Sequence, residues 1–408
     1  MEEQGWTGSL TLLRMGQQWR KNRRLFHNAF TPANCVPYRA SQQREARKLV
    51  GSIIQTPKRW EAHLVTFATT IILNITYGIN IESEDDPWVK LAERSSDALS
   101  NGGAAGATFV DFFPAVRRLP RWVNFIPSLT YARAQLPTIQ QLHNEPYDLV
   151  KREMNEGVAK PSFIEKMLTE VGNRGDAKAD EVDSYTERDL RSAGATMFVA
   201  GSDTTWSTIS VFVLNMVLNP EVQIRAQEEI DSVVGSDRLP TFADRANLPF
   251  VDYVVQETFR WHPVLPVGVP HKVSEDDYYK GYFIPKGTMV MANASAIHHD
   301  PNVYKSPETF DPTRYVPVSQ GGRGEPFPIA HFGFGRRICP GQHLGAASVW
   351  MVIVTMLATL RFAKAKDEQG QEIVPNGEMS TGFTSHPKSF ICDIQPRSEK
   401  IASLVAEG

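Results

Sequence analysis

The residues with the clearest chemical potential lie in segment 332–341, which reads Phe-Gly-Phe-Gly-Arg-Arg-Ile-Cys-Pro-Gly. A cysteine thiol can ligate a metal as its thiolate, and the helix predicted after the segment would favour that anion through its dipole. The glycines permit close approaches that a Cβ would block, so a flat macrocycle could lie against this turn. The segment predicts a ligand cysteine, Cys339; the alternative is a glycine-rich turn around a buried structural cysteine.

A second polar cluster, Ala-Gly-Ser-Asp-Thr-Thr at residues 200–205, lies within a long predicted helix. An acid and hydroxyl groups inside a core helix cost free energy unless they face something polar. The cluster therefore indicates a polar pocket. The alternative is a packed helix–helix contact in which Gly201 permits close approach and Thr204 bonds its own backbone.

Charged and aromatic residues at helical spacing form two further candidates. Glu257 and Arg260 match E-x-x-R, a pattern that a chain of this length contains about once by chance, and an ordinary helical ion pair is the alternative. Trp19 and Arg23 are one helical turn apart, so both can face one ligand edge. For this pair, a surface Trp–Arg stack or a core tryptophan remains open.

The elements that position these residues are predicted to be mainly helical, because apolar residues recur with helical periodicity. Thr186 and Asp189 have capping-box spacing, and the helix that they open continues to Pro220. The stretch 102–127 is predicted to be a long connection and 173–183 an exposed loop. Short runs rich in Val, Tyr and Phe place a small sheet at 264–291. The predicted helices span 19–30, 38–54, 60–77, 88–99, 135–156, 187–218, 221–234, 248–261 and 344–360.

Composition excludes several classes of protein. The 408 residues are 41% hydrophobic and 22% charged, which is typical of a folded globular chain. A net charge of -3 gives no overall reason to expect a nucleic-acid partner. Three widely spaced cysteines without C-x-x-C favour neither a disulfide framework nor structural zinc. Polar residues interrupt the apolar run 198–218, which predicts a buried helix and no membrane span.

Segment 332–341 resembles the haem-binding signature F-x-x-G-x-R-x-C-x-G of the cytochrome P-450 family. Its five fixed positions would match by chance on the order of once in ten thousand chains of this length. The resemblance implies that Cys339 is the axial ligand of a haem b iron. It also implies that Phe332, Gly333, Arg337 and Gly341 hold the cofactor. An electron-rich thiolate favours O–O bond cleavage.

Segment 200–205 resembles the oxygen-activation site of the same family. The resemblance implies that Ala200 and Gly201 leave room above the haem face. It assigns Thr204 a hydrogen bond to bound oxygen and Asp203 a proton relay.

Three other segments resemble parts of the family. Trp19 and Arg23 match its W-x-x-x-R propionate-binding helix, and His271 stands where the other propionate is often bound, although an exposed turn is the alternative. Glu257 and Arg260, with Arg314 of Phe-Asp-Pro-Thr-Arg-Tyr at 310–315, match its structural triad. By position, an apolar substrate pocket is expected from Met197, Phe198, Val264, Val267 and Phe383, and ordinary core packing would look the same.

A basic surface is expected on the cysteine side of the haem, where it would attract an acidic electron donor. The resemblance implies that this donor is an NADPH-dependent reductase; a solvated helix face is the alternative. The six cations are Arg20, Lys21, Arg23, Arg24, Arg336 and Arg337.

The resemblance implies a mainly α fold with small β-sheets, forming one catalytic domain over 1–408 that is N-terminally incomplete. Microsomal members carry an anchor, strands and early helices before the Trp19 helix, and the pattern resembles fungal secondary-metabolism or xenobiotic members more than bacterial soluble ones. The implied activity is oxygenation of a hydrophobic substrate at the cytosolic face of the endoplasmic reticulum, where 112–126 could lie in the bilayer surface or be a buried connector. The alternatives are a haem-thiolate isomerase or dehydratase, which Asp203 and Thr204 disfavour, and an inactive truncated product.

Overall fold

A computed structural model of the protein describes residues 3–102, 108–120, 122–173 and 185–407. Its helices surround one long central helix, α9. The helices are α1 Gln17–Ala29, α2 Pro32–Cys35, α3 Arg39–Gln55, α4 Trp60–Tyr77, α5 Pro87–Ser100, α6 Phe109–Phe112, α7 Pro127–Glu156, α8 Phe163–Asn173, α9 Glu187–Leu218, α10 Pro220–Val233, α11 Pro249–Trp261, α12 Ala294–His298, α13 Gln342–Thr359 and α14 Glu399–Glu407.

Helix α9 begins and ends at the predicted residues. The Thr186 backbone N–H donates to Asp189 Oδ2 at 2.9 Å, and the Asp189 N–H donates back to Thr186 Oγ1 at 3.2 Å. This capping box satisfies two backbone N–H groups that have no partner inside the helix. The helix ends before Pro220, which begins α10. Because α4 and α13 pack against α9, most of its side chains are buried.

Helix α13 follows the cysteine loop and lies in the same core. Of the helices in the described ranges, it alone is long and apolar enough to cross a membrane by length and composition. However, 72% of its 18 residues are buried inside the fold. A helix covered by protein on most sides has the environment of a core helix.

Small antiparallel sheets complete the fold. β1 pairs with β4 and β2 with β3, both within the predicted sheet region, and β5 lies between β6 and β7. In the last sheet, Phe362 pairs with Ile394, which joins the end of α13 to the C-terminal part of the chain. The strands are β1 His271–Lys272, β2 Asp277–Tyr279, β3 Tyr282–Ile284, β4 Met289–Val290, β5 Leu360–Lys366, β6 Glu372–Ile373 and β7 Cys392–Pro396.

Several elements differ from the prediction. The three-stranded sheet, α8 and α14 were not predicted, and α7 begins at Pro127 instead of residue 135. Proline is compatible with the first turn of a helix because its missing N–H would have no partner there. The connection 102–127 contains α6 and a 3₁₀ turn at Pro114–Arg118. Of the loop predicted at 173–183, the structure describes only Asn173, the last residue of α8. Residues 174–183 lie outside the described part of the chain.

Candidate active site

The cysteine loop is shaped by its glycines. Gly333 and Gly335 have φ of 74° and 55°, the left-handed region that residues with a Cβ rarely adopt. The turn brings the backbone N–H of Cys339 to within 2.8 Å of the Phe332 carbonyl oxygen. The Phe332 ring packs 5.5 Å from that of Phe259 on α11. The loop is therefore held on the helical core, with its thiol at a fixed place.

Cys339 is half-buried, and the loss of solvent around its sulfur raises the pKa of the thiol. The backbone N–H of Gly341 and the positive charge of Arg23 act in the opposite direction without cancelling the effect. Desolvation disfavours the anion, whereas the Gly341 N–H at the start of α13 favours it, in the direction predicted for a helix N-terminus. A cation bound at the sulfur would supply the missing stabilisation.

Two arginines connect the loop to α1. Arg23 Nη1 donates to the Ile338 carbonyl oxygen at 2.6 Å. Arg337 Nη2 donates to the Leu13 carbonyl oxygen at 2.9 Å, and its guanidinium lies 4.3 Å from the centre of the Trp19 ring. Trp19 is therefore buried beneath Arg337 and does not form the stack with Arg23 that was left open as an alternative. Both arginines are thus anchored at the cysteine loop, and their contact with a cofactor stays a prediction.

The face of α9 that carries Ala200 and Thr204 is open. Ala200 is exposed although it lies in the middle of a core helix, and Thr204 is half-buried. These residues are four positions apart and so share one face. Thr204 Oγ1 donates to the Ala200 carbonyl oxygen at 2.9 Å, as in the alternative weighed from the sequence. The hydroxyl thus remains at the open face, although its hydrogen is engaged with the helix.

Two residues expected beside this face point elsewhere. A Cβ on Gly201 would lie 2.5 Å from Ile72 Cγ1 of α4, so Gly201 permits a close helix–helix contact and leaves no room above a haem. Phe198 is fully buried and belongs to the core. At about 100° per residue, Phe198 is roughly opposite Ala200 around the helix. The expectations for Gly201 and Phe198 are therefore corrected.

Asp203 lies next to the open face but is enclosed. Its side chain is buried, and Oδ2 has no hydrogen-bond partner within the described part of the chain. Burial raises the pKa of this carboxyl, although the hydroxyls of Ser96 and Thr384 lower it in part. An acid in this setting holds its proton more tightly than a surface aspartate does. Sequence reasoning missed Ser96 and Thr384, because neither belongs to a motif.

The predicted triad is a buried charge network. Glu257 Oε1 accepts from Arg260 Nη2 at 2.8 Å, from Arg314 Nε at 3.0 Å and from the Asp311 backbone N–H at 2.8 Å. Glu257 Oε2 accepts from Arg260 Nε at 2.8 Å and from the Tyr315 hydroxyl at 2.9 Å. The three charged side chains of the triad are completely shielded from solvent. The network joins α11 to the 3₁₀ turn at Pro312–Tyr315, in the segment that leads to the cysteine loop.

The network extends beyond the predicted triad. Glu325 Oε2 accepts from Arg314 Nη1 at 2.6 Å, and Glu325 Oε1 accepts from Arg323 Nε at 2.8 Å. Arg323 Nη2 donates to Asp311 Oδ2 at 2.6 Å. Three acids and three arginines thus balance one another. Glu325 and Arg323 match no motif, whereas Asp311 was within the segment quoted for Arg314.

The expected pocket residues are placed unequally. Met197 is buried, Val264 and Phe383 are half-buried, and Val267 is exposed. The backbone N–H of Ser385 donates to the Val264 carbonyl oxygen at 2.8 Å, so the two loop segments that carry Val264 and Phe383 lie side by side.

His271 is exposed on β1, paired with Val290 on β4. Both predictions for His271, a propionate contact and an exposed turn, require an accessible side chain, and the propionate contact stays a prediction.

Only part of the expected basic surface is free. Lys21 Nζ pairs with Asp189 Oδ2 at 2.7 Å and also lies over the Tyr185 ring, so the lysine is committed to α9. Arg24 also has a partner. Arg20 and Arg336 are exposed. The Lys21–Asp189 ion pair holds α1 against α9. Because Arg23 of α1 contacts the cysteine loop, the same ion pair also holds that loop in place relative to α9.

The residues present fit a haem. Open space lies where a Cβ on Gly333 or Gly335 would point, and Ala200 is uncovered on α9. An exposed alanine in a core helix is unexpected unless a ligand covers it. The one thiol at the site is a donor that suits haem iron. Cys339 would ligate the iron, while Arg23 and Arg337 lie on the loop side of the same space.

Comparison with known proteins agrees with these observations. The family model described as Cytochrome P450 matches residues 2–393. Cytochrome P450 monooxygenase claR of Ampulloclitocybe clavipes is 39% identical over 98% of this chain and 73% of its own length. Tryptamine 4-monooxygenase of Psilocybe cyanescens is 34% identical over 99% of this chain and 79% of its own length. A zebrafish cytochrome P450 structure with progesterone has the same fold, with a TM-score of 0.78 at 23% identity over 97% of this chain and 87% of the other.

Proposed function

This chain belongs to the cytochrome P450 family, and from that premise we propose that it is a haem-thiolate monooxygenase. It would insert one oxygen atom of dioxygen into a hydrophobic organic substrate. The observation that carries the proposal is the open face of Ala200 and Thr204 on an otherwise buried helix, with a buried acid beside it. A haem isomerase or dehydratase needs no such acid, because its reaction delivers no proton to oxygen.

The protein residues divide the work between binding and proton handling. Cys339 would hold a haem, which when bound supplies reductive activation of dioxygen. Ala200 leaves space for a small ligand, because its methyl group is the least bulky side chain that still keeps the helix. Thr204 presents a hydroxyl at that space and can rotate away from the Ala200 carbonyl to donate. Asp203 holds a proton at its carboxyl one residue away.

The substrate class is inferred from the side chains expected to line the substrate pocket. Val264 and Phe383 are half-buried apolar side chains near one another, and they would favour an apolar or aromatic compound. One relative is named Tryptamine 4-monooxygenase, and tryptamine is an aromatic compound. Electrons would come from NADPH through a reductase that docks at exposed Arg20 and Arg336.

Thr204→Val tests the proposal, because it removes the hydroxyl and keeps the shape. We expect the holoenzyme with reductase and NADPH to consume dioxygen still, but to release most of it as hydrogen peroxide. Product formation from tryptamine or another accepted compound should fall by about tenfold or more, since general acid catalysis typically contributes at least that much. The measurement is the ratio of peroxide to NADPH consumed. Thr204→Ser is the control and should retain the wild-type ratio.

An isomerase or dehydratase would behave differently. It would turn over without NADPH or dioxygen, and Thr204→Val would leave its rate unchanged. If the wild-type holoenzyme oxidises no NADPH in the presence of the reductase, the proposed monooxygenase function is wrong.

We also propose that the protein associates with the endoplasmic reticulum membrane through the region 109–125. Five large aromatic side chains there are at least half exposed, in a segment that also contains arginines. Aromatic and basic residues together are typical of segments in the membrane interface. The side chains are Phe109, Phe112, Phe113, Trp122 and Phe125.

The double variant Trp122→Ser/Phe125→Ser should bind anionic liposomes about a hundredfold less tightly, because two aromatic rings at roughly 1.5 kcal/mol each contribute about 3 kcal/mol when buried. Cosedimentation with vesicles measures this. Val318 and Val374 are exposed apolar residues elsewhere, so Val318→Ser/Val374→Ser is a matched control. Equal binding by both double variants would exclude this region as the membrane contact.

A further inference from the structure

The buried imidazole of His298 is bonded to the segment that enters the cysteine loop. His298 is the last residue of α12 and is fully shielded from solvent. The backbone N–H of Ala330 donates to His298 Nε2 at 3.1 Å, across 32 positions of the sequence. Because Ala330 is also buried, this bond satisfies a backbone N–H that water does not reach.

The His298 ring is neutral and acts as the acceptor in this bond. Burial, reinforced by Arg260 and His299, lowers the pKa of His298 to about 4. Since Nε2 accepts from Ala330, the single ring hydrogen of the neutral imidazole is on Nδ1. Nδ1 has no hydrogen-bond partner within the described ranges. An unpartnered N–H in the core is unfavourable, and leucine would fill the space without one, so the useful atom of His298 is Nε2.

Two backbone hydrogen bonds continue from Ala330 to the predicted ligand. The Ala330 carbonyl oxygen accepts from the Gly333 N–H at 3.0 Å, which closes a turn at the start of the loop. Within this turn, the Phe332 carbonyl oxygen accepts from the Cys339 N–H at 2.8 Å. A movement of Ala330 would therefore displace the turn to which the backbone of Cys339 is bonded.

Ring packing beside the turn does not replace the His298 bond. The His331 ring stacks on Phe259 of α11, with ring centres 4.5 Å apart and planes at 16°. The centre of the His298 ring lies 6.1 Å from that of His331. Aromatic pairs accept a range of ring separations, whereas a hydrogen bond has a narrow preferred distance. The Nε2 bond is therefore the contact that sets the position of the Ala330 backbone.

The backbone of His298 is anchored separately from its side chain. The His298 carbonyl oxygen accepts from Arg260 Nη1 at 2.9 Å. Arg260 is in turn paired with Glu257 in the buried charge network. A substitution at position 298 keeps this backbone contact, so the imidazole bond can be removed while the charge network stays intact.

We propose that His298 is a positioning residue for the axial ligand: its Nε2 holds Ala330 and, through the turn closed by Gly333, fixes where Cys339 presents its sulfur. The effect on the ligand rests on the proposed haem-thiolate function, whereas the hold on the loop does not. In this scheme His298 acts only through the loop.

The hold on the loop is tested by hydrogen exchange of the peptide 329–341 in the holoenzyme, measured by mass spectrometry. In His298→Leu, the amides of Ala330 and Gly333 should exchange about tenfold faster, because the acceptor of a buried N–H is lost. His298→Gln should restore the wild-type rate, since its amide oxygen can take the place of Nε2. His63 on α4 is also buried, with Nε2 2.7 Å from Thr56 Oγ1, so His63→Leu is the matched control and should leave this peptide unchanged.

The effect on the ligand is tested by the reduced carbon monoxide difference spectrum. In folded His298→Leu, the red-shifted Soret band should convert to an unshifted band about tenfold faster than in the wild type, while His298→Gln and His63→Leu should keep the wild-type rate. If His298→Leu does not fold, His298→Asn takes its place, because its amide is one carbon too short to reach Ala330.

Each part of the proposal can fail separately. Wild-type exchange in His298→Leu would overturn the hold on the loop. Faster exchange with a wild-type rate of band conversion would overturn the effect on Cys339. If the wild-type holoenzyme shows no red-shifted band, the proposed haem-thiolate function is wrong, and hydrogen exchange still decides whether His298 holds the loop.

Discussion

Cys339→Ser is expected to abolish both haem-thiolate absorption and oxidation. Serine has nearly the shape of cysteine, but its hydroxyl is a poor ligand for haem iron and stays protonated at neutral pH. The reduced carbon monoxide difference spectrum should therefore lose its strongly red-shifted Soret band. NADPH-dependent oxidation should fall to the background of the reductase alone.

The other thiols of the chain provide the control. Cys35 is buried at the end of α2 and Cys392 is half-buried on β7. Cys35→Ser and Cys392→Ser should keep the wild-type spectrum, since neither thiol lies in the cysteine loop. A red-shifted band that persisted in Cys339→Ser, or disappeared in Cys392→Ser, would contradict the assignment of the ligand.

Glu257→Gln is expected to lower the free energy of unfolding by about 3–5 kcal/mol, the usual effect of removing one partner of a buried ion pair. The amide keeps the shape of the carboxylate, but it removes the negative charge between Arg260 and Arg314. The amide N–H of the glutamine would also face the guanidinium N–H groups of Arg260 and Arg314, which would then lack an acceptor. Urea unfolding followed by circular dichroism measures the change, and haem should be lost at a lower urea concentration.

An exposed ion pair is the matched control for Glu257→Gln. Glu372 accepts from Lys364 at 2.8 Å between β5 and β6, but its side chain is 58% exposed. Glu372→Gln should leave the unfolding midpoint unchanged, because solvent and salt screen such pairs. Equal stability of Glu257→Gln and the wild type would show that the triad does not hold the fold together.

The helices around the site could be predicted because local chemistry determines where they begin and end. The Thr186–Asp189 capping box and Pro220 fixed both ends of α9, and the predicted bounds of α4 were confirmed residue for residue. Proline and capping side chains act over a few residues, so a sequence shows them directly. The mainly α class was confirmed for the same reason.

The faces of α9 could not be predicted in the same way. Gly201 and Phe198 were placed on the wrong side because most positions of α9 are buried, and the sequence then shows no clear polar stripe that marks orientation. The neighbours of Asp203 were also beyond prediction. Thr384 is far from Asp203 along the chain, and only the folded structure brings the two together.

Pairings between distant strands were missed for a related reason. β5 and β7 are joined by backbone hydrogen bonds, which place weak demands on residue type. Likewise, Glu325 contacts Arg314 without any motif that contains both. By contrast, Glu257 and Arg260 were found because their spacing within one helix is short.

The balance of three acids and three arginines between α11 and the segment that leads to the cysteine loop affects how this protein can diversify. Loss of one member leaves an opposite charge stranded away from water, so a viable lineage must replace an acid and an arginine nearly together. Ala200 and the half-buried apolar side chains near Phe383 are under no such coupling. Mutational drift should therefore alter the side chains expected to line the substrate pocket far more readily than it alters this charge network.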